Sequence, residues 1–198
     1  MKPPREPTRQ SASTYFVTAQ TSERKYLFRN QRWADLFLKT LFHYQGEGYL
    51  LHEFVLMPDH FHLLITPEAS LERAIQLIKG GFSYRAGREL NSKQEIWQRG
   101  FSDHRIRDQE DFNTRRSYIH LNPVRAGLCA RPEDFQYGSA RGGFDLDAFP
   151  QGLKPRALGA VDGTAEAVPL QGQPVARLDG AAAPSEVAES CPSRGGGC

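Results

Sequence analysis

Cysteine is scarce in this chain: of 198 residues only Cys129, Cys191 and Cys198 carry a thiol, two of them among the last eight. Three thiols without C-x-x-C spacing build neither a disulfide framework nor a cysteine-rich zinc site. Long apolar runs are missing too. No stretch approaches eighteen apolar residues, and Met1 to Gln10 is polar and proline-rich, without the apolar centre of a secretion signal. These absences lead to the expectation of a cytoplasmic protein with no membrane partner. Aromatic residues stop at Phe149, and the 49 residues from Pro150 onward contain 23 Gly, Ala or Pro. Such a segment has too little apolar surface to offset the entropy of ordering. The expected organisation is a flexible N-terminus at 1–13, one folded domain at 14–149 and a disordered Gly/Ala/Pro-rich tail at 150–198.

The formal net charge is only +2, but the basic residues are unevenly spread. Residues 71–131 hold twelve Lys or Arg against seven Asp or Glu. That local excess suits a polyanion, although scattered arginines on a solvated helix face would give the same count.

Within the folded part, Thr14 to Gln20 is β-branched and aromatic and reads as a first strand. Asn30 can cap a helix with apolar positions at Trp33, Leu36, Phe37, Leu41 and Phe42. Leu50–Met57 and His60–Thr66 read as two strands joined tightly through Pro58 and Asp59. Ser70 can cap a second long helix, whose Gly80-Gly81 pair costs about 1 kcal/mol per glycine and suggests that a backbone or a phosphate comes close. A short strand is expected around His104–Arg107. Asp108 with Asp111 then resembles a capping pair for a third helix, which Pro123 should end. The order β-α-β-β-α-β-α predicts an α+β fold, a ferredoxin-like antiparallel sheet with packed helices.

The segment Met57-Pro58-Asp59-His60-Phe61-His62-Leu63-Leu64 carries the chemistry. Side chains alternate along a strand, so His60 and His62 share one face while Phe61 points to the other. Two imidazoles on one rigid face make half a metal site; equally, one could be hydrogen-bonded in the core and the other exposed. On the third helix Tyr118 and Asn122 are four apart and share a face. If that face meets the histidines, two nitrogens and one amide oxygen leave coordination positions open, which suits magnesium or manganese better than a closed zinc site. Tyr118 could instead be a half-buried packing residue. As a nucleophile its phenol, with an ordinary pKa near roughly 10, needs a cation or base nearby.

This histidine segment, together with Leu77-Ile78-Lys79-Gly80, Trp97-Gln98-Arg99-Gly100-Phe101 and Tyr118-Ile119-His120-Leu121-Asn122-Pro123-Val124-Arg125-Ala126-Gly127-Leu128, resembles the REP-associated tyrosine transposases of the HUH single-tyrosine superfamily. The resemblance runs from about Tyr15 to Ser139. It implies an HUH endonuclease core acting on single-stranded or hairpin DNA, as a monomer or a homodimer. His60 and His62 would be metal ligands and Asn122 a third, polar one. Tyr118 would attack the scissile phosphate to give a 5′-phosphotyrosine and a free 3′-hydroxyl, so that no ATP is needed.

Lys79, Arg85, Arg99, Arg105, Arg107, Arg115, Arg116 and Arg125 are candidate DNA contacts, each of which could also be solvated or paired. Trp97 and Phe101 could stack on bases or pack in the core. Two rival functions are a hairpin-binding regulator of the same fold without turnover, and a replication or plasmid-transfer nickase. The modest size and lack of a helicase segment speak against the nickase.

Overall fold

A computed structural model describes residues 13–149, which all belong to one structural unit. The expected N-terminal segment, except Ser13, and the expected tail lie outside the described residues. The apolar and aromatic runs form β1 (Tyr15–Gln20), β2 (Tyr49–Met57) and β3 (His60–Pro67), and a polar segment pairs with β1 as β4 (Ser102–Arg105). They make one antiparallel sheet in the order β2-β3-β1-β4. This is the ferredoxin-like order reached by the predicted sequence of elements.

Three helices start at the polar residues suited to capping them. Asn30 Oδ1 accepts from the Arg32 amide at 3.0 Å ahead of α1 (Gln31–His43). Ser70 Oγ accepts from the Arg73 amide at 3.1 Å ahead of α2 (Leu71–Glu89). Asp108 Oδ1 accepts from the Asp111 amide at 2.9 Å ahead of α3 (Gln109–Arg125). Each satisfies an N–H that the first helical turn leaves without a partner.

The sheet divides its side chains between two layers. Val17, Ala19, Phe61, Leu63 and Ile65 point toward α1 and α2 and join Phe28, Phe37, Phe82 and Trp97 in the main core. The opposite face meets α3 through a smaller apolar cluster of Val55, Met57, Leu64, Ile106, Phe112 and Ile119. A β-bulge between Leu51 and Glu53 interrupts the pairing of β2 with β3. The extra residue puts the consecutive side chains of His52 and Glu53 on the α3 side, while Leu51 and Phe54 enter the main core.

Three expectations are corrected. Pro123 does not end α3: it lies inside the helix, which runs on to Arg125. The helix closes just beyond it, with the Leu128 amide donating to Pro123 O at 2.9 Å, the Gly127 amide to Val124 O at 3.0 Å, and Gly127 at φ +68°. In a last turn of this kind, few intrahelical bonds remain for proline to remove. No backbone packs against the Gly80-Gly81 pair. A Cβ on Gly81 would lie 2.6 Å from Tyr44 Cε2, so the space is filled by a neighbouring ring, and Gly80 has nothing within 4 Å. The fourth strand also lies two residues earlier than expected. Ile106 is buried in the α3 cluster, and the chain past Arg105 turns to present Asp108 as the cap of α3.

Candidate active site

The pairing of β3 with β1 sets the site's floor. Thr18 lies opposite His62 and Gln20 opposite His60, so all four occupy neighbouring positions on the α3 face. His60 and His62 project side by side, their ring centroids 4.8 Å apart. Each has its Nδ1 engaged: His60 with Asp59 Oδ1 at 2.6 Å, His62 with Thr18 Oγ1 at 2.7 Å. That leaves both Nε2 atoms outside these two bonds. His62 Nε2 is buried and has no hydrogen-bond partner.

A buried nitrogen without a partner is costly unless something else binds it. Burial and then the neighbouring His60 drive the His62 pKa down to about 3, against an opposing pull from Asp59. His62 is therefore neutral at physiological pH, with a lone pair available for coordination. Asp59 is almost fully buried, which by itself would raise its pKa. Hydrogen bonds from His60 and Arg24, with their charges, outweigh burial and bring it down to about 2. The carboxylate thus fixes the orientation of His60, as outer carboxylates do for ligating histidines. These residues fit a divalent cation through two imidazoles in a rigid geometry. Among the described residues no group of three His, Cys, Asp or Glu side chains could hold a metal. Further donors would have to come from an amide such as Asn122 or from the substrate.

The third helix supplies the facing wall. Tyr118 is 36% exposed, and its ring stands edge-on to His62 at 5.2 Å and to Phe16 at 5.7 Å between centroids. Phe16 in turn stacks on His62 at 5.3 Å. The guanidinium of Arg125 lies 5.8 Å from the Tyr118 ring centroid, and that of Arg115 5.4 Å from Phe16. Asn122 follows Tyr118 by one turn and is half-buried. The tyrosine and the histidine pair come from one chain, so no second copy is needed to bring them together.

The candidate DNA contacts are dispersed. Arg115 and Arg125 border the tyrosine. Arg99 lines a cleft of about 300 Å³ with Thr18, Gln20, Gln98, Phe101 and Ser102, next to the histidines. Arg105 is exposed on β4. Arg107 and Arg115 pair with Asp111, at 3.3 and 3.6 Å, and Arg116 with Glu53 at 2.9 Å. Lys79 lies on α2, behind the sheet. Its Nζ donates to the carbonyls of Gln98 and Gly100 at 2.8 and 2.7 Å and so braces the loop before β4. Arg85 is also on α2 and half-buried. Trp97 is a core residue whose Nε1 donates to Lys79 O at 3.0 Å. Phe101 packs against the same core, only partly buried.

The model of the family described as IS200-like transposases matches residues 9–122, more than half of the chain. The chain belongs to the IS200-like transposase family. The match takes in His60, His62, Tyr118 and Asn122, and it makes the protein an enzyme that cleaves and transfers DNA. This transposase is 28% identical over 152 residues to a Haemophilus influenzae protein provisionally named a REP-associated tyrosine transposase, covering 69% of this chain and 85% of that one. It is 29% identical over 105 residues to the REP-associated tyrosine transposase of Escherichia coli K12, covering 49% and 61%. A solved REP-associated tyrosine transposase bound to a REP hairpin shares the fold, with a TM-score of 0.58 at 21% identity over 83% of this chain and all of that one.

Spacing put His60 and His62 on one face of a strand and Tyr118 and Asn122 on one face of a helix; that the two faces meet was not readable from it. Thr18, Phe16, Asp59 and Glu53 were not singled out. Asp59 adjoins His60 in the sequence, but Thr18 and Phe16 reach His62 only through the register of β1 on β3. No local pattern carries that register.

Proposed function

We propose that this transposase cuts one strand of single-stranded or hairpin DNA with Tyr118 as the nucleophile. The Tyr118 oxygen attacks phosphorus, the bond to the 3′ oxygen breaks, and the phenolic proton is balanced by the one taken up by the departing 3′-hydroxyl. The 5′ phosphate stays on Tyr118 as a phosphodiester. A 3′-hydroxyl attacking that linkage rejoins DNA with no outside energy source.

His60 and His62 would hold a magnesium or manganese ion, with Asn122 as a third donor. Such an ion supplies charge stabilisation at a non-bridging phosphoryl oxygen. Asp59 and Thr18 hold the two rings by their Nδ1 atoms. Arg125 and Arg115 offer positive charge to the phosphates on either side. The observation that carries this reading is the Tyr118 ring 5.2 Å from His62, whose buried Nε2 lacks a partner. The named relatives, one of them solved with a REP hairpin, support hairpin DNA as the substrate class.

The test uses the full chain with a labelled hairpin that carries single-stranded flanks, in manganese. A covalent adduct should form, Tyr118→Phe should abolish it, and a chelator should suppress it while hairpin binding persists. An undiminished adduct in Tyr118→Phe removes the nucleophile assignment. Hairpin binding without cleavage, whatever the divalent metal, would favour the non-catalytic regulator.

A further inference from the structure

One buried charge lies outside the chemistry proposed above. Glu53 is 8% exposed and is brought to the α3 side of the sheet beside the bulge in β2. Its Oε2 accepts from Ser139 Oγ at 2.6 Å and lies 2.8 Å from His120 Nε2, while its Oε1 lies 2.9 Å from Arg116 Nε. Three partners from two separate segments converge on a carboxylate that touches no reacting atom. Isolated buried carboxylates are expensive, and one held this fully is a fixed point in the structure.

The placement of the partners on α3 gives that point a purpose. Arg116 and His120 are four apart and share one flank of the helix. Tyr118, midway between them in sequence, emerges on the other flank and leans over Phe16 and His62. Between the two flanks, Phe112, Ile119 and Pro123 are buried against the sheet. Apolar contact of that kind chooses which face of the helix meets the sheet but, being non-directional, sets its exact rotation only loosely. Directional bonds on one flank do fix it. We propose that Glu53 is a positioning residue: by gripping Arg116 and His120 it sets the rotation of α3 about its own axis and thereby aims Tyr118 at the histidine pair. The activity part of this proposal rests on Tyr118 being the nucleophile; the geometric part does not.

Two readouts test it in Glu53→Gln. Tyr118 ring resonances, identified by their loss in Tyr118→Phe, should be displaced in the parent protein by the rings of Phe16 and His62. In Glu53→Gln they should move toward the positions of an exposed tyrosine. The single-turnover cleavage rate should fall about tenfold or more, since small misplacements of a reacting group are costly, with hairpin affinity held within about twofold. Unchanged ring positions in a folded Glu53→Gln protein overturn the proposal, as does a loss of affinity that accounts for the whole loss of rate. Should Glu53→Gln fail to fold, His120→Gln keeps the carboxylate bonded to Ser139 and Arg116 and decides by the same two readouts. A parent protein that forms no adduct would sink the proposed chemistry, while the ring positions would still decide the role of Glu53.

Discussion

The two faces of the sheet are built on different principles. Toward α1 and α2, Phe28, Phe37, Phe61, Phe82 and Trp97 interlock with ring centroids 5.2 to 5.9 Å apart, and the layer is closed to water. Toward α3 the apolar cluster is smaller, and it shares the face with His52, Glu53, His60, His62 and Thr66. One side supplies stability from non-directional burial; the other holds a helix by directional bonds at chosen points. A tyrosine in the proposed role of Tyr118 gains from the second arrangement, because its aim depends on orientation rather than on buried area.

Substitutions that separate the two roles sharpen this contrast. Tyr118→Phe should cut adduct formation by at least about a thousandfold while leaving stability within about 0.5 kcal/mol, because its hydroxyl belongs to a partly exposed side chain. Adduct gels and urea unfolding check the two halves. Phe61→Ala, at the centre of the aromatic layer, should cost about 3–5 kcal/mol in urea unfolding. Ile119→Ala, from the thinner α3 layer, should cost about 2 kcal/mol, at the low end for such truncations, yet reduce adduct formation more per unit of lost stability. A main-core variant that impairs cleavage equally at matched stability would break the division of labour.

Acid should act mainly on the α3 side. Burial raises the Glu53 carboxyl, but hydrogen bonds from His120 and Ser139 and the charges of His120 and Arg116 outweigh it and leave the pKa below the ordinary value. Asp111 follows the same balance, with His104 and Arg107 as the partners that overcome burial. A carboxylate whose pKa is lower in the folded than in the unfolded state adds stability above the unfolded value, and that stability is lost as pH falls through the folded one. Stability should therefore decline as pH falls below neutral, first because the unfolded chain protonates His62 near 6.5 while burial resists it in the folded state, and further below about pH 5 as Glu53 and Asp111 lose their folded-state advantage. Asp111→Asn should make the decline shallower, as read from urea midpoints at pH 7 and pH 3. An unchanged slope would remove Asp111 from the account.

Much of the fold could be read in advance because it rests on local periodicity. The alternation around His60 and His62, the capping residues Asn30, Ser70 and Asp108, and the Tyr118–Asn122 spacing each depend on a few neighbouring residues. What escaped reading depends on distant partners. The bulge at His52 is set by pairing with β3, and Glu53 finds Ser139 across 86 residues. Pro123 reads locally as a helix stop, but the closing bonds at Gly127 and Leu128 let α3 run past it. The Gly80-Gly81 pair suggests a close approach of backbone or phosphate, and at Gly81 the group that comes close is the side chain of Tyr44, a residue of the chain just after α1.

After α3 the chain returns along the outer margin of β2. The Leu56 amide donates to Tyr137 O at 2.9 Å, Val55 bridges Gly138, and the backbone amide and side chain of Asp147 both engage Leu51. Backbone groups that would otherwise invite another strand are thereby occupied by the protein's own chain. Growth of the sheet by edge-to-edge addition is closed at that margin, and the other edge strand, β4, is only four residues long. The same stretch that brings Ser139 to Glu53 thus also guards the molecule against unwanted strand pairing.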